Sequence, residues 1–248
     1  MGGLGELCRE VGALGLLAAH VAWRALLGRF DRRELARNLA SMGADSLPIV
    51  VLTAFFTGGI MVIQSGVFVK RFGAYGLLGF GTGYAILREV GPLLIGLMFS
   101  GRVGANNTAE LGTMAITEQI DGLRALAIDP VAFLVVPRVL AMMIALFCLL
   151  LAGDAVALLG GALLGKWLLG VGLSSFFQSM SDNLRFLDLG TGLTKAVVFG
   201  FAIALSSCHF GVGVRGGAPG VGRAVNSAVV ASALAMVLSD QVMTVLFR

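Results

Sequence analysis

Five long apolar stretches dominate this sequence, and each is at least as long as a bilayer is thick. They cover about 46–69, 84–105, 131–169, 189–212 and 224–247. An α-helix rises about 1.5 Å per residue, so about 20 apolar residues cross a hydrocarbon core of about 30 Å. Lipid offers no partner for backbone N–H and C=O groups, so a spanning stretch of this kind must be helical.

The small number of charges supports the same fold class. Only 13% of the 248 residues are charged, whereas soluble domains carry about 25%. The 36 glycines would allow membrane helices to approach one another closely. The sequence therefore predicts an all-α integral membrane protein. It would have an N-terminal interfacial helix, five transmembrane helices and a polar cytoplasmic helix between the second and third.

Residues 1–45 form the N-terminal part of this plan, and residues 46–248 form the membrane domain. Residues 4–27 predict an amphipathic helix lying in the interface. A soluble basic link follows, with Arg29, Arg32, Arg33 and Arg37. Positive charge marks the cytoplasmic side, so we expect a cytoplasmic N-terminus and, after five spans, an external C-terminus.

The polar segment at about 108–127 has the periodicity of a helix. Its apolar residues recur at helical spacing on one face, and Glu118 and Asp121 fall on another. A short acidic helix between two spans suggests a surface offered to a water-soluble partner. Asp129-Pro130 then predicts an N-cap and the start of the third span. Pro137 is expected to kink that span near its cytoplasmic end.

Charged residues inside the predicted spans carry the main functional hypothesis. Arg88, Glu89, Lys195 and Asp240 lie near the outer ends of their helices. A charge at the bilayer centre costs about 2.5–3.5 kcal/mol on insertion scales. These residues either line the path of an amphiphile with a charged head or form structural ion pairs, such as Lys195 with Asp240 or Glu89. Both roles can hold together.

Two further polar residues in the spans have alternative interpretations. Gln64 either makes a hydrogen bond between helices or contacts the substrate. Asp154 is expected at the membrane interface or in a structural role.

Catalytic chemistry finds little support in the sequence. Neither histidine has a carboxylate at useful spacing in the sequence, the three cysteines are scattered, and no phosphate-binding loop motif occurs. We expect no catalytic, cofactor-binding or metal-binding residues. If ATP is used, a separate subunit binds it. The net charge of +4 lies mostly at helix ends, which indicates membrane orientation and not nucleic-acid binding.

A long run of the chain resembles a known family. The run EVGPLL-x4-FSGRVGANNTAELGTMAITEQIDGLRALAIDPVAFLVVPR resembles the signature of MlaE-type permeases. Those are the membrane subunits of bacterial ABC systems that move phospholipid between the inner and outer membranes. The similarity continues through GLTKAVVFG, GGAPGVGRAV and VLSDQVM, and it covers roughly residues 46–247.

The resemblance implies a non-catalytic permease of the bacterial inner membrane that helps to maintain outer-membrane lipid asymmetry. Its expected partners are a second copy of itself, a cytoplasmic ABC ATPase, a STAS-domain protein and a periplasmic hexamer of MCE-domain proteins. Phospholipid would be held between the two permease copies, near the periplasmic side.

The resemblance also implies roles for particular residues. The polar helix becomes a coupling helix docked on the ATPase, with contacts from Glu110, Thr117, Glu118, Gln119, Asp121, Leu123 and Arg124. The substrate path would comprise Gln64, Phe68, Phe72, Arg88, Glu89, Lys195 and Asp240. Gly66 and Phe72 stand where relatives can carry bulkier or tyrosine residues.

Two rival functions belong to other classes. A membrane-embedded lipid-modifying enzyme would need a nucleophile or a metal cluster, which the sequence does not supply. A passive scaffold for a periplasmic ring would not need an acidic docking helix.

Overall fold

The chain folds into a bundle of long helices. The computed structural model describes the backbone of residues 3–26, 31–73 and 75–247, and the side chains of 12–25, 31–73 and 75–247. The α-helices are α1 Gly3–Leu26, α2 Arg32–Gly43, α3 Leu47–Phe72, α4 Leu78–Ala85, α5 Gly91–Phe99, α6 Ala105–Ile116, α7 Gln119–Ala125, α8 Val136–Leu169, α9 Leu173–Asn183, α10 Phe186–Val212 and α11 Gly217–Leu246.

Five helical segments are long and apolar enough to cross a membrane. They are Arg32–Phe72, Tyr75–Ile116, Val131–Leu169, Phe186–Val212 and Gly217–Leu246. The prediction of an all-α, multi-pass membrane protein with five spans is confirmed. Several segments are longer than the apolar stretches, because the helices continue beyond the residues that hydropathy marks.

Helix α8 is the centre of the bundle. It packs against α3 on one side and α10 on another, with α2 beside it. Leu146 and Leu150 of α8 are buried with Val50 of α3 and Phe199 of α10. The outward faces of α3 and α11 expose large apolar side chains instead, as membrane helices do towards lipid.

The contact between α3 and α8 depends on glycine. A methyl group at Gly58 would lie 1.8 Å from the Ala157 carbonyl oxygen, and one at Gly160 would lie 2.5 Å from the Phe55 carbonyl oxygen. Each helix therefore presses its backbone against a glycine of the other. This matches the close packing expected from the glycine content.

The second spanning segment is interrupted by two π-turns. After α4, the first π-turn covers Ile86–Val90, and a second covers Ser100–Gly104 between α5 and α6. The glycine-rich residues before the apolar stretch at 84–105 are mostly helical, since α4 already begins at Leu78. The hydropathy pattern missed these residues because glycines lower the apolar signal without ending the helix.

The N-terminal region differs partly from the prediction. Helix α1 is amphipathic as expected, with Val21 buried against the bundle and Trp23 exposed. The basic link was expected to be soluble, but its second half is α2, which packs on α8 and buries Asn38 and Met42. Arg29 lies outside the described residues.

Differences elsewhere concern helix boundaries. The third span starts with a π-turn at Val131–Val135, and α8 begins directly after it. Pro137 lies in the first turn of α8, and the kink expected there stays a prediction. The polar residues that follow α8 form the short helix α9, which ends at Asn183. The glycine-rich segment 209–223 is largely helical, because α10 ends at Val212 and α11 begins at Gly217.

Replacing Gly58 with alanine tests the close helix contact. Gly58→Ala must push α3 away from α8, and overpacking of this kind costs about 1–3 kcal/mol of unfolding free energy. We expect a lower thermal unfolding midpoint in detergent. The matched control is Gly190→Ala, because a methyl group at Gly190 meets nothing within 4 Å. Equal midpoints for the two variants would contradict the packing described here.

Candidate functional site

Lys195 is the centre of a buried polar cluster at one end of the bundle. Its side chain is 0% exposed, and its Nζ donates hydrogen bonds to Glu89 Oε2 at 2.7 Å, Thr244 Oγ1 at 2.9 Å and the Arg88 carbonyl oxygen at 3.0 Å. Asp240 Oδ1 lies 2.8 Å from the same nitrogen. An ammonium group has only three protons, so the contact with Asp240 is ionic and not a fourth directed hydrogen bond.

Arg88 extends this cluster to the ends of two other helices. Its Nη1 donates to Asp188 Oδ1 at 3.2 Å, and its Nη2 donates to the Phe247 carbonyl oxygen. Its guanidinium carbon lies 5.4 Å from the centre of the Tyr84 ring. Arg88 therefore joins the second spanning segment to the beginning of α10 and the end of α11. We call Arg88, Glu89, Asp188, Lys195 and Asp240 the charged cluster.

The first π-turn and a glycine of α10 together align Lys195 with Arg88 and Glu89. The wider turn places Arg88 and Glu89 towards different partners. A methyl group at Gly192 would lie 2.0 Å from the Leu87 carbonyl oxygen, so α10 touches the backbone of the π-turn. Lys195 follows Gly192 by nearly one helical turn and thus reaches Glu89. π-turns inside helices often occur at functional sites.

The ion pairs expected as a structural alternative are present, since Lys195 contacts both Glu89 and Asp240. Asp188 is a member that the sequence did not suggest. The cluster is not wholly sealed, because the Glu89 side chain is 33% exposed and that of Arg88 is 14% exposed. The role of these residues in a substrate path remains a prediction.

Other predicted path residues lie on the outward face of α3. Phe68 is 66% exposed and Phe72 is 75% exposed. Gln64 is also exposed, and the hydrogen bond between helices that was one expectation for it is not found among the described residues. Gly66, on the same helix, is not exposed: it is buried against Leu169 of α8.

The predicted coupling helix is not one continuous helix. Residues 108–116 belong to α6, and the chain turns at Glu118, whose φ is +58°, before α7 begins at Gln119. The Gln119 side-chain amide donates to Thr117 Oγ1 at 3.0 Å across this break. Sequence periodicity missed the break because one residue in the left-handed region leaves no clear pattern.

Helix α7 nevertheless presents the expected surface. Ile120 is buried and Leu123 is half-buried, while Glu118, Asp121 and Arg124 are exposed. The only ion pair of α7 in the described chain joins Asp121 to Arg124 within the helix at 2.7 Å. An exposed pair of this kind contributes little to stability. Both side chains can therefore form ion pairs with a partner protein instead.

A second buried polar network lies near the coupling segment. Arg138 of α8 is 1% exposed and holds Glu110 through two hydrogen bonds of 2.7 and 3.1 Å. It also donates to Asn107 Oδ1 at 2.7 Å, and the Asn107 amide donates to Ser207 Oγ of α10 at 2.9 Å. We call Asn107, Glu110, Arg138 and Ser207 the coupling network.

This network gives Glu110 a different setting from the one predicted. Glu110 was expected to contact the ATPase. Its carboxylate binds Arg138, but its side chain is 48% exposed, so the ATPase contact stays a prediction. Sequence reasoning did not identify Arg138 and Asn107 as site residues. The available signal was a lone arginine in the apolar run after Pro137, since a buried charge needs a partner.

The N-terminal helix is tied to the same end of the bundle. Arg24 of α1 pairs with Asp129 at 2.8 Å. Asp129 Oδ1 also accepts a hydrogen bond of 3.0 Å from the Val131 N–H, which confirms the predicted N-cap. The start of the third span is therefore connected to α1.

Comparison with known proteins identifies relatives across most of the chain. A family model described as permease MlaE matches residues 35–246. A probable ABC transporter permease of Rickettsia conorii is 42% identical over 213 residues, covering 86% of this chain and 82% of the relative. The intermembrane phospholipid transport system permease protein MlaE of Haemophilus influenzae is 31% identical over 232 residues, covering 92% and 89%.

A plant protein is also similar. Protein trigalactosyldiacylglycerol 1, chloroplastic, of Arabidopsis thaliana is 36% identical over 235 residues, covering 94% of this chain and 66% of the relative.

Removing the Lys195 charge should be strongly destabilising. Lys195→Met leaves the buried Asp240 and the partly buried Glu89 without their cation. Breaking a buried pair costs about 3–5 kcal/mol. Thermal unfolding in detergent measures the loss. Adding Glu89→Gln and Asp240→Asn removes the orphaned charges and should restore much of the stability.

The control for this series is Arg124→Met, which breaks an exposed pair of about 0–1 kcal/mol. If Lys195→Met were no less stable than Arg124→Met, the charged cluster would not be a stabilising centre.

Proposed function

The chain belongs to the MlaE permease family, and we infer that it is the membrane permease of an ABC transporter that moves phospholipid. In this proposal the permease carries no catalytic residues and binds no cofactor. A separate ATPase subunit binds and hydrolyses ATP. The family match over residues 35–246 is the observation that carries the proposal.

The geometry supports a link between a substrate end and an ATPase end. The charged cluster and α7 lie at opposite ends of the second spanning segment. The 27 positions from Glu89 to Ile116 correspond to about 40 Å of helix. We propose that movement of α7 is transmitted along this segment, with the coupling network carrying it to α8 and α10.

The charged cluster is the proposed contact for the lipid headgroup. Arg88 and Glu89 are its partly exposed members, so they can exchange a protein partner for a charged head. The exposed apolar side chains Phe68 and Phe72 of α3 would face the acyl chains. Gln64, which is also exposed on α3, would lie beside the same path. Lys195 and Asp240 are proposed to hold Glu89 in place.

Helix α7 is the proposed dock for the ATPase. Glu118, Asp121 and Arg124 are exposed there, and Thr117, Gln119 and Leu123 form the surrounding surface. Glu110 would act indirectly, through Arg138. The exposed charges of α7 favour a driven permease over a passive scaffold. A lipid-modifying enzyme would need a nucleophile or a metal cluster, which the sequence does not supply.

The remaining partners follow from the family and are proposals for this chain. They are a second permease copy, a STAS-domain protein and a periplasmic hexamer of MCE-domain proteins, in a bacterial inner membrane with the N-terminus in the cytoplasm. The proposed process is movement of phospholipid between inner and outer membranes, which maintains lipid asymmetry. The relative from Haemophilus influenzae, named as an intermembrane phospholipid transport permease, supports this assignment.

Reconstitution tests the proposed function. The permease is purified with its accompanying subunits, native mass spectrometry establishes which are present, and the complex is placed in vesicles with fluorescent phospholipid. We expect lipid movement that requires ATP. A complete complex with ATPase activity but no ATP-dependent lipid movement would overturn the proposal.

The variant Lys195→Met/Glu89→Gln/Asp240→Asn separates structure from transport. We expect it to retain folding and subunit assembly but to lose ATP-dependent lipid movement, because the headgroup then meets no charged members beyond Arg88 and Asp188. Transport at the wild-type rate would assign the three residues a structural role only.

Charge reversal on α7 tests the docking surface. Glu118→Lys with Asp121→Lys should weaken ATPase association and its stimulation, with membrane insertion unchanged, because acidic contacts become repulsive towards basic groups of the partner. Co-purification of the ATPase measures the effect. The control is Asp182→Lys on α9, an exposed acid near the other end of the bundle. Unchanged association in the double reversal would contradict this assignment.

A further inference from the structure

Asp154 is the most unusual polar residue of the bundle that the proposed function leaves unused. It lies near the middle of α8, and it is only 2% exposed. Asp154 was expected at the membrane interface or in a structural role, and its place within the spanning helix favours the structural role. Neither carboxyl oxygen has a hydrogen-bond partner among the described residues. An ionised carboxylate buried in this way would be very unfavourable.

The carboxyl group points at the first π-turn. A methyl group at Gly91 would lie 2.3 Å from Asp154 Oδ1 and 2.7 Å from the Ile86 carbonyl oxygen. These two oxygens are therefore at most about 5 Å apart, next to the space that Gly91 leaves free. The Ile86 carbonyl accepts the Gly91 N–H of the π-turn. A carbonyl oxygen has two lone pairs, so it can accept a second hydrogen bond.

The polar groups around Asp154 are acceptors with no proton to offer it. Thr53 donates its hydroxyl proton to the Ile49 carbonyl at 2.8 Å, and Thr57 donates to the Thr53 carbonyl at 2.9 Å. Both threonines line the small cavity beside Asp154. The Gly91 N–H is already used, and Pro92 has none. A carboxylate gains no hydrogen bond here, whereas a carboxylic acid brings the missing donor.

No charged side chain compensates Asp154 within ion-pair distance in the described parts of the chain. The nearest charged segment, the π-turn, carries Arg88 and Glu89, which bind Asp188 and Lys195. Lys195 of α10 is occupied by Glu89 and Asp240. The charged groups Lys70 and Arg71 of α3 are exposed at the end of that helix, and α4 and α5 carry none.

We propose that Asp154 is a proton-binding site inside the membrane, where the neutral carboxylic acid donates a hydrogen bond to the Ile86 carbonyl oxygen. The proton comes from water and converts the carboxylate to the acid. The bond joins α8 to the π-turn that carries Arg88 and Glu89. Proton occupancy at Asp154 would therefore influence the position of the charged cluster.

A metal cation fits the same site less well. The cavity has a volume of about 10 Å³, near the minimum for a single water molecule. Hard cations such as Ca²⁺ or Mg²⁺ take six or more oxygen ligands. A proton needs only one acceptor, and the Ile86 carbonyl supplies it.

Infrared spectroscopy of the full-length permease in lipid vesicles tests this proposal. We expect the carbonyl stretch of a protonated carboxyl group at neutral pH, with a shift in D₂O. The band should be lost in Asp154→Asn and kept in Asp182→Asn, which changes an exposed acid. Absence of the band in the wild type at neutral pH, or its persistence in Asp154→Asn, would overturn the proposal.

Two further variants keep the test decisive if Asp154→Asn does not fold. Asp154→Glu should keep the band at a displaced frequency. Gly91→Ala places a methyl group against the acid and should also displace it, while the control Gly190→Ala should not. A band unmoved by both changes would place the protonated group elsewhere.

Sodium provides the remaining competing outcome. If added sodium at constant pH removed the same band that Asp154→Asn removes, the site would be a sodium site, and the proposal would be wrong. The spectra are measured on the permease without lipid transport. Their outcome is therefore independent of the proposed function.

Discussion

The ammonium group of Lys195 is fully buried, so its charge and its three protons must find partners inside the protein. The arrangement of three membrane segments follows from this need. The ammonium protons reach the π-turn and Thr244 of α11, and Asp240 supplies a second negative charge. A buried charge is tolerated only when it is paired and hydrogen-bonded. The second, fourth and fifth spans must therefore keep one rotation and one register at this end of the bundle.

The second spanning segment connects this requirement to the opposite end of the molecule. Its first π-turn supplies Arg88 and Glu89 to the charged cluster, and its α6 supplies Asn107 and Glu110 to the coupling network. Both ends hold a buried basic residue from another helix, Lys195 in one case and Arg138 in the other. The segment is thus fixed to its neighbours by charge at two points, with a more apolar stretch and a second π-turn between them. This arrangement is suited to passing movement between α7 and the charged cluster.

Glycine decides how closely the remaining helices approach. Backbone contacts at Gly58 and Gly160 bring α3 onto α8, and the same device at Gly192 brings α10 onto the π-turn. Without a hydrophobic driving force between helices in lipid, close packing of this kind supplies much of the attraction. Gly91 has a related effect, because the space it leaves is where the Asp154 carboxyl meets the π-turn. The π-turn Ile86–Val90 is therefore the place where the close glycine packing and the polar contacts of the bundle lie together.

The sequence by itself determined the features that depend on local composition. Length and hydropathy gave the five spans, Asp129-Pro130 gave the N-cap, and the cost of buried charge indicated pairing of Lys195 with Glu89 or Asp240. Only the tertiary structure decided the π-turns, the break at Glu118, the binding of Glu110 by Arg138 and the burial of Asp154. The physical reason is that these features depend on the rotation and register of helices distant in sequence. Hydropathy reports how apolar a segment is, but it does not report which neighbour each polar side chain will meet.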